Sequence, residues 1–275
     1  MTQTLVGRTI LMSGGSRGIG LAIALRAARD GANVVMLAKT AEPHPKLEGT
    51  VYTAVEVVER AGGKGLAVVG DVRNEEDVRT AVDGAVRAFG GIDIVVNNAS
   101  AIDLSPSEQL EMKRYDLMQD INTRGTFLLS KTAIPHLREA DNPHILTLSP
   151  PLNLAPHWVG KHLGYTLAKY GMSLCTIGLA EELAADGIAA NSLWPRTLID
   201  TAAVRNVVGG ARNARPPQIM ADAAYAILTR NARECTGNLY IDDEVLVAEG
   251  VTDLTVYTPD HFSGELALDI FLDPA

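Results

Sequence analysis

Short apolar runs typical of β-strands alternate with longer helical patterns along most of the chain. The strand-like runs are 9–13, 33–38, 65–72, 92–99, 144–149 and 188–194, and the helical stretches are 18–31, 51–63, 75–90, 106–140 and 164–187. Because strand and helix follow one another through short Gly or Asp turns, we predict right-handed crossovers and a parallel sheet covered by helices on both faces. The strands are apolar on both faces, as that burial requires. The sequence therefore predicts an α/β fold.

The size and composition of the chain suit one large core. It has 275 residues, of which 47% are hydrophobic, and we predict a single domain over residues 1–275. Residues 251–275 carry few periodic signals and are expected to be a C-terminal extension that wraps a surface or an oligomer partner. The stretch 39–50, rich in Pro and Gly, is predicted to be a long loop after the second strand.

Charge and targeting signals exclude several classes of partner. The net charge is −9 and the pI about 5.2, with no block of Lys or Arg, which disfavours nucleic acid and anionic membranes as partners. Cys175 and Cys235 lack the spacing of a metal site or a disulfide, so we expect no metal and a reducing compartment. The N-terminus does not resemble a signal peptide, and no apolar stretch is long enough to span a bilayer. We therefore expect a cytoplasmic protein.

The segment SGGSRGIG (13–20) joins the first predicted strand to the first predicted helix. Gly14, Gly18 and Gly20 would let the backbone turn sharply and approach a pyrophosphate, which would then lie at the helix N-terminus. Taken alone, the segment could be an ordinary glycine-rich turn. Its position in the first strand–helix unit favours a dinucleotide site.

The end of the second strand bears on which dinucleotide is bound. Sites that select NAD place an acid there, whereas this chain has Ala38, Lys39 and Thr40, with Arg17 in the glycine turn. Two cations favour a 2′-phosphate, each charge-assisted contact contributing roughly 1.5–3 kcal/mol. We therefore predict NADP(H) and leave NAD(H) open, since Lys39 could equally be a solvated loop charge. Asp71 could bind the adenine amino group, cap the helix that starts near Asn74, or do both.

Tyr165 and Lys169 are four residues apart on a predicted helix and so share a face. A cation about 4 Å from a phenol, at an effective dielectric near 20, contributes ~4 kcal/mol, equivalent to lowering the phenol's pKa from ~10 to about 7. Such a phenol would be suited to proton transfer. Without the glycine turn upstream, the same spacing would more often reflect two exposed residues on a helix that have no catalytic role.

Together these motifs resemble the short-chain dehydrogenase/reductase family. The segment 13–20, Asp71–Val72, Asn97–Ala99, Asn122 and the Tyr165–Lys169 pair occur in the family's order and approximate spacing, over about residues 6 to 245. The resemblance implies one Rossmann-type, doubly wound domain whose sheet has seven parallel strands flanked by helices.

The resemblance also implies roles for individual residues. Tyr165 would be the acid/base, Lys169 would hold the nicotinamide ribose and lower the pKa of the phenol, and Asn122 would order a water in a proton relay through Lys169. Residues expected to contact the cofactor are Ser13, Gly14, Ser16, Arg17, Gly18, Ile19, Gly20, Ala38, Lys39, Thr40, Asp71, Val72, Asn98, Ala99, Ser100, Tyr165, Lys169, Pro195, Thr197 and Ile199.

The chain departs from the family pattern beside the tyrosine. The family pairs the tyrosine with a serine that binds the substrate oxygen, but the aligned position here is Pro150, and Ser149 precedes it. Ser149 either substitutes as the fourth catalytic residue or only ends the strand. Losing one such donor costs on the order of 3 kcal/mol. Other donors in the same loop are Asn153, His157, Lys161 and His162.

A second departure is Arg196, where the family usually has glycine. This arginine could bind a phosphate, bind an acidic substrate, or point to solvent. Ser100 likewise replaces a glycine.

The residues leave two functions open. The first is an oxidoreductase acting on a small apolar alcohol or carbonyl compound, because the segments expected to face the substrate are 101–105, 151–164 and the region after Pro195, which carry Leu, Val, Pro and Trp side chains. The second is a nucleotide-binding sensor or structural homologue with weak catalysis, which Pro150 and Arg196 favour. Family members usually pair the helices at 106–140 and 164–186 across a dimer, so we expect a homodimer or homotetramer.

Overall fold

The computed structural model describes residues 4–44, 48–208, 211–259, 262 and 264–273, and these contain one parallel sheet in the strand order β3-β2-β1-β4-β5-β6-β7. The strands are β1 (Thr9–Ser13), β2 (Asn33–Ala38), β3 (Lys64–Val69), β4 (Ile94–Asn97), β5 (His144–Thr147), β6 (Ala189–Trp194) and β7 (Leu239–Ile241). The predicted Rossmann-type α/β fold with a seven-stranded parallel sheet is confirmed.

Helices cover both faces of this sheet. They are α1 (Gly18–Ala28), α2 (Val51–Arg60), α3 (Glu75–Phe89), α4 (Met112–Met118), α5 (Gly125–Leu137), α6 (Pro156–Lys161), α7 (Leu163–Glu182), α8 (Gln218–Leu228) and α9 (Asp242–Ala248). Apolar side chains of α1, α2, α8 and α9 pack on one face of the sheet, and those of α3, α5 and α7 pack on the other. No helix within the described ranges has the length and apolar character needed to cross a membrane.

The strand order creates a crevice between β1 and β4. Chain connections leave β1 toward β2 on one side and leave β4 toward β5 on the other, so the loops diverge at the carboxyl ends of these neighbours. In open α/β sheets, ligands bind at such a switch point. Ser13 pairs in register with Asn97, so both strands end at the same level beneath the crevice.

Helix α3 is capped by Asn74. Its side-chain oxygen accepts hydrogen bonds from the backbone N–H groups of Glu76 at 2.8 Å and Asp77 at 3.4 Å. The helix ends at Gly90, whose φ of 90° is the left-handed conformation that favours glycine. Asp71 is therefore not the N-cap, which leaves its carboxylate available to other groups.

The predicted helical tract 106–140 is interrupted. Residues 106–111 precede α4, and a π-helical turn at Gln119–Arg124 separates α4 from α5. Asn122 lies in this turn with its side chain completely buried. Wide π-turns inside helices occur often at functional sites, because they displace a side chain from the regular helical position.

The chain after α9 returns to the carboxyl edge of the sheet. We call residues 267–273 the C-terminal strap. Leu268 pairs antiparallel with Thr197, and the Leu198 N–H donates to the Ala267 carbonyl at 2.8 Å. Phe271 is buried against Tyr165, Tyr170, Trp158 and Trp194, with ring centroids 5.1–6.3 Å away. The strap thus covers the region that holds the predicted Tyr–Lys pair.

Candidate active site

A cavity of about 550 Å³ occupies the crevice at the carboxyl ends of the strands. It joins the glycine turn to the Tyr165–Lys169 pair in one continuous space. The predicted cofactor residues that line it are Gly14, Ser16, Arg17, Gly18, Ile19, Ala38, Lys39, Thr40, Asp71, Val72, Asn98, Ala99, Ser100, Tyr165, Lys169, Pro195 and Ile199. Ser13, Gly20 and Thr197 lie behind this lining rather than in it.

Close backbone packing explains the glycines of the first turn. Gly14 has a φ of 73°, and a Cβ there would lie 2.9 Å from the Cα of Ala99. A Cβ on Gly20 would lie 2.5 Å from the side-chain nitrogen of Asn98. That nitrogen donates to the Gly14 carbonyl at 2.8 Å and holds the turn against β4. The glycines therefore allow the turn to pack closely on the loop after β4, and Gly14 and Gly18 line the cavity at the start of α1, where backbone N–H groups favour an anion.

Ser13 fixes the floor of the site. Its hydroxyl oxygen accepts hydrogen bonds from the backbone N–H groups of Asn98 at 3.2 Å and Ala99 at 3.1 Å. These bonds tie the end of β1 to the loop after β4. Ser13 thus positions the loop that lines the cavity.

Cations cluster at the adenosine end of the cavity. Arg17 donates to the carbonyls of Glu48 at 3.0 Å and Gly49 at 2.9 Å, which holds its guanidinium beside the turn. Lys39 is 56% exposed, and its Nζ lies 3.5 Å from a carboxylate oxygen of Asp71. Hydrogen bonds from Arg73, together with the charge of Lys39, lower the pKa of Asp71 to about 2. The carboxylate of Asp71 is therefore ionised, and its charge is balanced by Arg73 and Lys39.

Tyr165 and Lys169 lie on the first half of α7, and both are buried. The Nζ of Lys169 donates to the Leu148 carbonyl at 2.7 Å, and burial lowers the pKa of this amine to about 7. Burial, and then the charge of Asp269, raise the pKa of Tyr165 above its usual range, whereas hydrogen bonding from Ser100 lowers it. In the protein alone burial therefore outweighs the hydrogen bond from Ser100, and the effect of Lys169 on the phenol stays a prediction.

Asn122 approaches the loop after β4 from the π-turn. Its side-chain oxygen accepts from the Ala101 N–H at 2.8 Å, and its side-chain nitrogen donates to the Ala101 carbonyl at 3.0 Å. This pair of bonds places Ala99 and Ser100 along the cavity wall. Since both ends of the amide are engaged, a water ordered by Asn122 would be held through its main chain.

Asp269 is a site residue that the sequence analysis missed. It lies in the C-terminal strap and lines the cavity together with Ile270. Its backbone N–H donates to the Arg196 carbonyl at 3.0 Å, and the indole N–H of Trp194 donates to the Ile270 carbonyl at 3.1 Å. Burial raises the pKa of Asp269 to about 7. No local pattern in the sequence distinguishes this aspartate from those on the surface.

Comparison with known proteins assigns the family. The family model for short chain dehydrogenases matches residues 8–210. The chain belongs to the short chain dehydrogenase family. This family membership supports an NAD(P)-dependent oxidoreductase of the kind that acts on alcohol and carbonyl groups.

Relatives at high identity fall within the same family. The chain is 55% identical to hydroxysteroid dehydrogenase-like protein 2 of Xenopus laevis over 99% of its own length, and it spans 65% of that relative. A crystal structure from Xanthomonas campestris matches with a TM-score of 0.96 at 55% identity, covering 98% of this chain and 100% of that one. A short chain dehydrogenase from Mycobacterium thermoresistibile matches with a TM-score of 0.92 at 53% identity, with coverage of 98% and 96%.

Ser149 does not stand in for the serine that short-chain dehydrogenases place beside the tyrosine. Its side chain is completely buried outside the cavity, and its hydroxyl has no hydrogen-bond partner among the described residues. The Pro150 carbonyl accepts from the Ser173 hydroxyl at 2.6 Å. The structure does not place Ser149 in the cavity lining, so its arrangement does not support the prediction of Ser149 as a fourth catalytic residue.

The other predicted donors of that loop also point elsewhere. Asn153 and His157 hydrogen-bond to the Asp273 carboxylate at 2.9 Å and 3.2 Å. His162 contacts the Leu104 carbonyl at 2.7 Å, and Lys161 lies 5.6 Å from the ring centroid of Trp158. The expectation that segment 151–164 faces the substrate is not met, since none of its residues lines the cavity.

Arg196 takes none of the three roles considered for it. Its guanidinium forms ion pairs with Asp243, at 3.0 Å, and with Glu244, both at the start of α9. Its backbone N–H donates to Asp242 at 2.8 Å. Arg196 therefore ties the segment after β6 to α9. Thr197, which follows, has a buried hydroxyl without a partner in the part of the chain that the structure describes.

Proposed function

We propose that this short-chain dehydrogenase transfers a hydride between NADP(H) and an apolar alcohol or carbonyl compound, with Tyr165 as the acid and base. The observation that carries the proposal is the continuity of one cavity from the glycine turn to Tyr165 and Lys169. A bound nicotinamide supplies the hydride and, when oxidised, a positive charge near the phenol. The glycine turn fits such a group because Gly14, Gly18 and Ile19 line the cavity at the start of α1, where backbone N–H groups favour an anion.

The proton chemistry falls to Tyr165. In the reductive direction its phenol gives a proton to the carbonyl oxygen, and in the oxidative direction its phenolate takes a proton from the alcohol. Lys169 opposes the cost of forming that phenolate when the amine is protonated, and the Leu148 carbonyl holds the amine in place. Since the pKa of Lys169 is about 7 in the protein alone, charging the amine near neutral pH is a small step.

The preference for NADP(H) rests on the charges around the adenosine end. Lys39 lies 3.5 Å from Asp71, which is already paired with Arg73 at 2.7 Å, and Arg17 lies in the glycine turn against the carbonyls of Glu48 and Gly49. A 2′-phosphate would meet unbalanced positive charge there, and charge-assisted hydrogen bonds to phosphate are the strong ones. Equilibrium titrations with NADPH and NADH test this preference. Equal affinity for NADPH and NADH would contradict the proposed preference for NADP(H).

The substrate end of the cavity is apolar. Its lining there comes from Ile102, Trp194 and Ile270, which belong to the same apolar cluster as Tyr165. Such a wall favours a substrate whose carbon skeleton is apolar and whose polar oxygen lies toward Tyr165. A panel of apolar ketones, aldehydes and alcohols, assayed with each cofactor, tests the function directly.

A nucleotide-binding sensor is the second candidate, and two observations favour it. Ser149 lies outside the cavity, and burial keeps the pKa of Tyr165 high. Tight binding of NADPH without turnover of any panel member would support this alternative. If any compound of the panel is turned over, and this turnover is lost in Tyr165→Phe, the sensor alternative is excluded.

A homodimer, alone or paired into a tetramer, is proposed from an exposed apolar face on α5 and α7. Phe127 is 52% exposed, Leu167 48% and Leu174 59%, and Ile177 beside them is 39% exposed. An apolar face of this kind on two neighbouring helices is unusual for a surface that stays in water. A second copy of the chain is the proposed occupant, since the same face can pair with itself about a two-fold axis.

A further inference from the structure

The cavity holds one carboxyl group next to the catalytic tyrosine. Asp269 lines the cavity with Tyr165 and Lys169, whereas Ser149 does not. One oxygen of Asp269, Oδ1, accepts from the Ile270 N–H at 2.7 Å. For the other oxygen, Oδ2, the described residues supply no hydrogen-bond donor. The carboxyl is thus held by one oxygen and has the second available to a ligand.

The strap holds this carboxyl firmly. The backbone N–H of Asp269 donates to the Arg196 carbonyl, and Trp194 donates to the carbonyl of the next residue. Phe271, two residues on, stacks with Tyr165 at 6.3 Å between ring centroids and 21° between ring planes. The strap and the tyrosine are therefore packed as one unit, and a rigid support of this kind is what a site needs to place a donor accurately.

We propose that Asp269, as a neutral carboxylic acid, donates from Oδ2 the second hydrogen bond to the substrate oxygen, in the place of the serine that other short-chain dehydrogenases use. Tyr165 and Asp269 together would then hold that oxygen. This inference rests on the proposed oxidoreductase function and adds a substrate-contacting residue to it.

The surroundings of Asp269 favour the protonated form. The titratable groups that face it are Tyr165 and Lys169 on α7 and Asp242 on α9. Asp242 is completely buried, and its Oδ2 has no partner within the described ranges. Burial and then the charge of Asp242 raise the pKa of Asp269, while the Ile270 N–H and then Lys169 lower it, and the result is about 7. A neutral carboxyl in an apolar site is an effective hydrogen-bond donor to a developing oxyanion.

The proposed reduction of the carbonyl group transfers no proton from Asp269. In reduction, the carbonyl carbon accepts the hydride, the C=O π bond breaks, and the oxygen takes the proton of Tyr165. Asp269 donates a hydrogen bond to that oxygen throughout and keeps its proton. The phenolate left on Tyr165 regains a proton from solvent, so one alcohol forms for each reduced cofactor and each proton consumed. An ionised Asp269 would instead repel the oxygen as its negative charge develops.

The test compares Asp269→Ala, Asp269→Asn and the wild type on the best substrate of the panel, across about pH 5 to 9. The wild-type kcat/KM is expected to fall as the pH rises through about 7. Asp269→Asn keeps a donor that does not titrate, so its kcat/KM should stay within about 10-fold of the wild type and lose that pH dependence. Asp269→Ala should lose roughly 100-fold in kcat/KM while its cofactor Kd is unchanged. Asp253→Ala, on an exposed turn, is the matched control and should change neither.

Infrared difference spectra supply a readout that does not depend on turnover. The wild type minus Asp269→Asn, at a pH below 7, should show the C=O stretch of a protonated carboxyl group. An ionised carboxyl there would overturn the proposal even if Asp269→Ala did not fold. So would a kcat/KM of Asp269→Ala equal to the wild type, or a loss produced by Ser100→Ala but not by Asp269→Ala. A wild type that turns over no substrate would instead overturn the proposed function, and this inference with it.

Discussion

Replacing Asp269 with asparagine should change how the stability of the protein depends on pH. The carboxyl is inside the cavity, and its pKa rises from an ordinary 3.8 to about 7. The folded protein therefore binds this proton more tightly than the unfolded chain does. The stabilisation from that proton is complete below about pH 4 and disappears as the pH rises through about 7.

The size of the effect follows from the two pKa values. Between about pH 4 and 7, only the folded state holds the proton. Each increase of one pH unit then lowers the free energy of unfolding by about 1.4 kcal/mol. Raising the pH from about 5 to 8 should therefore remove roughly 3 kcal/mol of the wild type's free energy of unfolding. Asp242 and Lys169 face the same carboxyl and adjust with it, so roughly 3 kcal/mol is the upper value.

Urea unfolding, followed by the fluorescence of Trp158 and Trp194, measures this free energy at each pH. Titration of groups elsewhere is common to both proteins and cancels in the difference between the wild type and Asp269→Asn. The asparagine variant should gain stability relative to the wild type as the pH rises from about 5 to 8. Asp253→Asn is the control and should show a constant difference. A difference for Asp269→Asn that is also constant with pH would refute the reasoning.

Three further predictions concern the cofactor and the assembly. Gly20→Ala would place a Cβ 2.5 Å from Asn98 Nδ2 and disturb the glycine turn, so NADPH affinity measured by cofactor fluorescence should fall at least about 10-fold; unchanged affinity would contradict the close packing. Lys39→Ala should weaken NADPH binding by roughly 10-fold in the same titration and leave NADH binding within about 2-fold, and an equal loss for both would remove the phosphate role. Leu174→Asp should halve the molar mass measured by light scattering, whereas Val256→Asp, 70% exposed elsewhere, should not; an unchanged mass for Leu174→Asp would exclude this face as the interface.

The sheet could be predicted because its strands carry a strong local signal. The buried runs of β1 and β2 match their predicted bounds, since each strand is apolar on both faces and follows a glycine or aspartate turn. No element was predicted after Trp194. β7 has three residues, too few to show a period, and α8 is rich in alanine, which gives a weak contrast between its faces.

Two local motifs of the cavity could be located from sequence, because the residues of each lie close together along the chain. Gly14, Gly18 and Gly20 belong to one turn, and Tyr165 and Lys169 belong to one helix. The pKa values of Tyr165 and Lys169 were harder to predict. The pKa of a phenol depends on burial as well as on neighbouring charge, and spacing reports only the neighbour.

The place of Asp269 in the cavity could not be predicted from the sequence. Its position depends on antiparallel pairing between the strap and the segment after β6, and on the packing of Phe271 among distant aromatic rings. Ser149 shows the converse. Its residue type and its place before Tyr165 favoured a catalytic role, but its hydroxyl is buried without a partner among the described residues and does not line the cavity.

We propose Tyr165 as the residue that transfers the proton. The most direct measurement compares Tyr165→Phe with the wild type in both turnover and cofactor titration. Phenylalanine keeps the stacking on Phe271 and removes the hydroxyl alone. The account predicts loss of turnover by at least about 100-fold, with NADPH affinity within about 2-fold of the wild type. Turnover by Tyr165→Phe at the wild-type rate would contradict it.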